Sequence, residues 1–464
     1  MTRRFSLPRL PLRVTALTTG LLLIVPAVAL LRLPRPRAEG LARLLAQAAL
    51  LQSFPAASQR PVPQLWRERL GEGPSEQLWR QQQRVWWQFW GRHGDGGAYL
   101  ALPMPRPMRM GTMAMPPHSL RVDDLVVVAA DPLSHRLLAD QLKQLPRQRR
   151  GLEQRCLTRL EREQAAFWNP TAFGAMGGPV APLLQSFQEG CVSLRLIGDS
   201  LELEGEAAPT TGLLAPPPPA ASGSLPGPLG RGLLLELQGR SLELLLQGLL
   251  SRQLIRDPLA SRYGIGRTEL ALLRRTPFVL RLRPLDSGPF QAGLELQLAP
   301  GADRPDWARL LSRLRQALIE QGFNEGPAPG QAAPPPGSTQ ALPTSTWSRE
   351  EAGVVGGWRW TSVPGRDPEL LLFLGPVPPV PDAVGSAGAP ARATSLLQLR
   401  LRPQALTALG LLPDALPRPL LQADQLTVLA ERSRAGGAMI SRLKGRLQLG
   451  TGSPPPAPPA PPPR

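Results

Sequence analysis

From Val192 to Glu204 the chain reads Val-Ser-Leu-Arg-Leu-Ile, then Gly-Asp-Ser, then Leu-Glu-Leu-Glu, so leucine alternates with Ser, Arg and Glu around a glycine turn. A period of two fits an extended backbone whose side chains point to opposite faces in turn, and glycine supplies the backbone freedom of a tight turn. The stretch predicts an antiparallel hairpin with one face in a core and the other in water. Similar alternation around Gly239 (Leu233 to Leu246) and Gly445 (Met439 to Leu449) predicts diverged copies of that unit. The string Leu-Arg-Leu-Arg-Pro occurs twice, ending at Pro284 and at Pro403, and its arginines are expected in solvent.

Helical spacing interrupts these strands. Leu41, Leu44, Leu45, Ala48 and Leu51 fit one helix, and a second, beginning after Pro74-Ser75, is expected to carry Leu78, Trp79, Val85, Trp86, Trp87, Phe89 and Trp90. Leu125 to Ala129 reads as a strand, after which Asp131-Pro132 supplies a cap and a proline at the first position of a helix running toward Leu145. Trp307, Leu310, Leu311, Leu314 and Leu318 form one stripe on a helix from Pro305. Strands at 278–283, 293–298, 356–363, 369–374 and 396–402 and a hairpin at 425–449 complete the reading. The expected class is α+β: mainly antiparallel sheets with packed helices and one N-terminal hydrophobic helix.

The 57 prolines and 45 glycines cluster, which leaves ordinary globular composition between the clusters. They divide the chain into an N-terminal segment (1–37), an α+β domain (38–206), a Pro-rich linker (207–230), a second α+β domain (231–323), a linker (324–345), a β-rich domain (346–450) with a long loop (376–394), and a Pro-rich disordered tail (451–464).

Residues 14–31 carry no charge and follow Arg3, Arg4, Arg9 and Arg13. Such a run just reaches across a bilayer core and reads as a signal anchor, while Ala27-Val28-Ala29 has the small-x-small form of a signal-peptidase site, so cleavage is the alternative. The expected placement is a single-pass membrane protein with a cytoplasmic N-terminus and an extracytoplasmic body, or a secreted body after cleavage. In an oxidising compartment Cys156 and Cys191 could pair; two unpaired, partly buried thiols are the other reading. The net charge of +18 comes almost entirely from arginine, with Lys143 and Lys444 the only lysines. No dense basic block concentrates it, which argues against nucleic acid and leaves membrane lipids or an envelope protein as expected partners.

The apolar N-terminal run, a Trp-rich segment before a short Gly/Ala strand (Gly96 to Leu102), the step Leu-Val-Val-Val-Ala-Ala-Asp-Pro and the leucine-rich hairpins together resemble, in layout, a group of membrane-anchored cyanobacterial proteins with an extracytoplasmic α+β domain. The resemblance spans most of residues 10–450. It implies no activity and carries no catalytic residues across.

The sharpest chemical anomaly is Met104, Met108, Met110, Met113 and Met115 in a proline-bounded loop ending near His118. Thioethers are soft ligands, so the loop, with His118 as a further donor, is a candidate Cu(I) site; the other reading is adaptable apolar packing. The tryptophans and interleaved arginines suit either a membrane interface or a core. His93, His118 and His135 have no zinc-ligand spacing, no Gly-x-Ser-x-Gly elbow exists, and Ser134-His135 are sequence neighbours whose side chains diverge on a helix. Gly266-Arg267-Thr268 lacks the lysine of a phosphate loop and reads as a turn capped by Thr268. Asp123-Asp124 and Glu350-Glu351 read as solvated charge. The expected function is a non-catalytic interaction or scaffold module, with copper binding as the alternative.

Overall fold

The computed structural model describes residues 38–92, 97–143, 152–169, 187–209, 224–242, 245–246, 253–286, 290–326, 344–349, 353–361, 367–378, 395–412, 418–435 and 438–450. The N-terminal run, His93, Glu350-Glu351, most of the Pro-rich linkers and the Pro-rich tail lie outside them.

The first part of the chain supplies β1 (Ala48–Phe54), β2 (Trp86–Gly91), β3 (Tyr99–Pro103), β4 (Ser119–Val122), β5 (Leu125–Val128), β6 (Ala165–Trp168), β7 (Phe187–Ile197) and β8 (Ser200–Pro209). The rest supplies β9 (Leu235–Gly239), β10 (Phe278–Pro284), β11 (Ala292–Leu298), β12 (Asn324–Gly326), β13 (Thr344–Arg349), β14 (Gly353–Thr361), β15 (Glu369–Leu374), β16 (Leu397–Leu401), β17 (Ala423–Ala435) and β18 (Ala438–Leu449). All of them join one 18-stranded sheet. Read across it, the order is β4-β5-β3-β2-β1-β6-β7-β8-β18-β17-β16-β9-β10-β11-β15-β14-β13-β12, and each neighbouring pair is antiparallel.

That sheet corrects the expected fold class. The α+β reading placed separate sheets in separate blocks, whereas β18 of the last block zips onto β8 of the first and β16 onto β9 of the middle one. Pairings this distant in sequence leave no local signature. The expected hydrophobic N-terminal helix falls on residues outside the described set, and no helix among the described residues is long and apolar enough to cross a membrane. The reading as a single-pass, signal-anchored membrane protein with an extracytoplasmic body is corrected on that finding.

At one end of the sheet both faces are covered. Helices α1 (Gly40–Leu45), α5 (Pro132–Lys143) and α6 (Leu152–Arg162) bury Leu44, Leu138 and Leu160 with Trp87, Phe89, Ala101 and Val127. Helices α2 (Gln64–Leu70) and α3 (Glu72–Gln81) bury Trp66 and Trp79 with Trp86, Leu100, Val126 and Val128, the alternate residues of the same strands. A strand buried on both faces loses its polar half, so the Trp-rich segment reads as an unbroken apolar run. The expected Trp-rich helix therefore ends at Gln81, and Trp86 to Trp90 are strand β2. Likewise Ala48 to Leu51 belong to β1, not to the first helix. The short helix α4 (Arg106–Arg109) lies in the methionine loop.

The hairpin at residue 198 forms as the alternation predicts, with Gly198 at φ +60° and Ile197 opposite Ser200. The two proposed copies do not. Leu235 to Gly239 is one strand between two distant partners, and Gly445 sits in mid-strand opposite Leu203 and Val428. At the other end of the sheet, α7 (Gln253–Tyr263), α8 (Arg267–Arg275) and α9 (Arg304–Glu320) lie on the chain between β9 and β12. Leu272, Leu273, Trp307, Leu310 and Leu311 of α8 and α9 pack on Leu237, Phe278, Leu298, Trp358 and Leu370. The helices α10 (Pro403–Ala408) and α11 (Arg418–Leu421) connect β16 to β17.

Candidate functional site

The two Leu-Arg-Leu-Arg-Pro strings meet across β9. Leu280-Arg281-Leu282 and Leu399-Arg400-Leu401 flank Leu235-Glu236-Leu237 from either side in the same register. Directly opposed residues share a face, so both arginines converge on Glu236. Arg281 Nε donates to Glu236 Oε2 at 3.2 Å and Arg400 donates to Oε1. The three side chains are only 14%, 18% and 6% exposed for Arg281, Arg400 and Glu236, so these arginines are not in solvent as their alternation with leucine suggested. Both arginines are paired with one glutamate on a neighbouring strand, which a one-strand pattern cannot show.

The row continues across the sheet as Arg195, Glu202, Arg446, Thr427, Arg400, Glu236, Arg281 and Glu295 on consecutive strands β7 to β11. Arg446 donates to Glu202 at 3.0 Å, Arg283 to Glu295 at 2.7 Å, and Arg281 to Gln297 at 2.8 Å, while Gln297 donates to Glu369. Arg400 and Arg402 also donate to the carbonyls of residues 227–230. The Arg281–Glu236–Arg400 part of the row is buried and its β7 and β18 end, at Arg195 and Arg446, is exposed; a buried ion group contributes little net stability, whereas breaking it by a change of register is costly. On the reverse face the matching row is Leu196, Leu201, Leu447, Leu426, Leu401, Leu235, Leu282, Leu294 and Leu374.

A cleft of about 790 Å³ gathers acids and bases from distant parts of the first block: Glu39, Asp123, Asp124 and Glu161 with Arg84 and Arg162, above Trp87 and Leu125. Asp123 and Asp124 make the turn between β4 and β5, with Asp123 at φ +54°, and Asp123 accepts the Gly40 N–H at 2.6 Å. Both residues are exposed, as the solvated-charge reading expects, and Asp123 is in addition a structural tie. Glu39, Glu161 and the two arginines were invisible as a group, because the fold alone brings them together. Among the described residues no cluster of three or more His, Cys, Asp or Glu has the arrangement of a metal site.

The methionines divide. Met104 and Met108 are buried among Trp66, Trp79 and Trp86, Met113 packs partly against that cluster, and Met110 and Met115 are exposed. His118, at φ +56°, is exposed beside Asp131. Cys156 on α6 and Cys191 on β7 form a disulfide with a Cα–Cα distance of 5.7 Å, pinning the helix to the sheet. Ser134 is buried and donates to Asp131 Oδ2, so it does not engage His135. Asp131 caps α5 as expected, accepting from the Leu133 and Ser134 N–H groups; the Ser134 hydrogen bonds hold its carboxyl below the usual carboxylate range.

At Gly266-Arg267-Thr268 the cap is Gly266 and Thr268 lies inside α8; Glu269 accepts the Gly266 N–H at 2.8 Å and an Arg313 hydrogen bond at 2.5 Å. Burial works to raise the Glu269 pKa, but Arg313 and the backbone donors outweigh it and the net shift is downward. Burial pushes the Arg359 guanidinium down, with Glu295 opposing.

Strand β4 pairs only with β5 among the described residues, which makes it an open sheet edge. Helix α5 packs near it and presents Leu133 (67% exposed) and Leu137 (38% exposed) one turn apart. No family model matches the chain, and neither the curated proteins nor the solved structures contain a match to it.

Proposed function

We propose that this chain is a non-catalytic interaction module that docks a protein partner along the free edge of its sheet at β4. The observation that carries the reading is the combination of that unpaired edge with Leu133 and Leu137 on the adjoining helix. An open strand offers a row of backbone donors and acceptors to an added strand, and neighbouring apolar side chains supply the affinity. Leu133 and Leu137 gain nothing from facing water, whereas the neighbouring Leu138 and Leu142 are buried in the core. The charged groups of the sheet support the same reading, since the Arg281, Glu236 and Arg400 side chains are occupied with one another.

The test is complementation in a strain lacking the gene, combined with a photo-crosslinking residue at Arg121 or Leu133. The reading expects a discrete protein adduct from both positions and none from Arg309 on α9. It also expects Leu133→Asp/Leu137→Asp to lose complementation while Asp124→Asn/Glu161→Gln retains it. Loss with the amide variants and retention with the aspartates would transfer the function to the acidic cleft.

A further inference from the structure

A second cleft, of about 680 Å³, opens on the far face of β2 and is lined by Phe54, Gln64, Glu68, Arg69, Trp86 and Gln88. Phe54 and Trp86 stack in its wall, ring centroids 4.5 Å apart and planes 19° apart. Trp86 is 5% exposed and its indole N–H has no acceptor. A buried indole N–H nearly always finds a partner, because leaving it unmade costs the desolvation of the group. In the same cluster Trp79 follows that rule by donating to Arg60 O at 2.8 Å, whereas Trp66, which does not line the cleft, shares the unpartnered N–H of Trp86.

The rim consists of planar polar groups. Gln64 donates to Glu68 at 2.7 Å, Arg69 donates twice to Ala98 O at 3.2 and 3.0 Å, and Gln88, half-buried, follows Trp86 on the same face of β2. Among the described lining residues the one guanidinium is already held by a carbonyl and lies 3.8 Å from Glu68, so they offer no free cation to a phosphate or carboxylate ligand. An aromatic wall with amide and carboxylate groups around it suits a ligand with an apolar ring face and a periphery of hydroxyls.

We propose that this cleft binds a neutral saccharide, its ring stacked on the Phe54 side of the aromatic wall and its hydroxyls on Gln64, Glu68 and Gln88. The site is independent of the β4 edge: it lies on the face covered by α2 and α3, and its occupancy is measured without any protein partner.

The purified full-length chain is titrated by calorimetry and saturation-transfer NMR with neutral trisaccharides (maltotriose, cellotriose, xylotriose and chitotriose) and with citrate and inorganic phosphate. Binding of at least one trisaccharide at millimolar or lower concentration is expected, weakened at least about tenfold, roughly 1.4 kcal/mol, by Phe54→Ala and by Gln88→Ala. Trp86→Phe, which removes the indole donor and keeps a ring, weakens it as well. Gln88→Ala sits at a half-exposed position and keeps the test meaningful if Phe54→Ala fails to fold. No binding of any trisaccharide, binding of the anions alone, or binding unchanged in Gln88→Ala and Trp86→Phe would each overturn the assignment. None of these outcomes bears on crosslinking at β4.

Discussion

Glu236→Ala is the substitution with the most to say about this molecule. The carboxylate is 6% exposed and receives charge-assisted hydrogen bonds from Arg281 and Arg400, themselves 14% and 18% exposed. Removing it leaves two desolvated guanidinium groups facing each other across a strand. Breaking a buried pair by deleting one partner costs about 3–5 kcal/mol, most of it the penalty of the stranded charges. Replacing the whole triad, Arg281→Met/Glu236→Leu/Arg400→Met, removes the charges with their partner and is expected to return stability to within about 1 kcal/mol of the parent or to exceed it. Urea unfolding followed by tryptophan fluorescence measures both, with the change in midpoint read at constant slope. As a control, Arg309→Met removes an exposed pair with Asp306 and is expected to cost less than about 1 kcal/mol. If Glu236→Ala also costs less than about 1 kcal/mol, the triad is a surface pair in solution and the buried row does not exist.

The remaining expectations concern other contacts. Cys156→Ala/Cys191→Ala opens a loop spanning a sequence separation of 35 and is expected to lower stability by about 4 kcal/mol on the chain-entropy account, seen as a fall in the melting midpoint. Gly205→Ala places a Cβ 2.0 Å from Cys191 O and 2.7 Å from Val192 Cα, backbone that cannot retreat, so it should lower the urea midpoint more than Gly73→Ala, whose Cβ meets no neighbouring atom. Because the Glu269 pKa is lowered in the fold, its contribution is fully present above the ordinary Glu value near 4.5 and is lost as pH falls through the lower folded value. Glu269→Gln should therefore flatten the acid limb of the stability profile and leave the neutral region's slope unchanged. Met104→Ala in the tryptophan cluster is expected to cost about 2–5 kcal/mol, and Met110→Ala, 77% exposed, less than about 0.5 kcal/mol, both read from urea midpoints.

Local signals were legible where a few adjacent residues decide the outcome. The Gly198-Asp199 turn, the Asp131-Pro132 helix start and the Trp307–Leu318 stripe all depend on neighbours in sequence, and each stands in the structure where its pattern put it. Trp86 to Trp90 misled because burial on both faces erases the alternation that marks a strand. Arg281 and Arg400 misled for a different reason: alternation tells which residues share a face but not whether water reaches it. Their repeat was visible, yet only the pairing of β9 with both β10 and β16 reveals that it brackets one glutamate. The acidic cleft shares that origin, since Glu39, Asp123 and Glu161 are contributed by three separate elements. The Phe54–Trp86 cleft was equally hidden, its two rings lying on strands that pair only in the fold.

The central claim is that the chain closes into one sheet, with its last hairpin zipped onto its first block through β18 and β8. Glu204 and Lys444 are opposed there and accessible, whereas Gln448 is opposed to Ser200, four residues away along the strand. Disulfide geometry requires Cα atoms within about 7 Å, and four strand residues span roughly 13 Å. Glu204→Cys/Lys444→Cys should therefore oxidise to a crosslink recovered by peptide mass spectrometry, and Glu204→Cys/Gln448→Cys should not. Efficient crosslinking of the second pair, or none from the first, would contradict the single sheet.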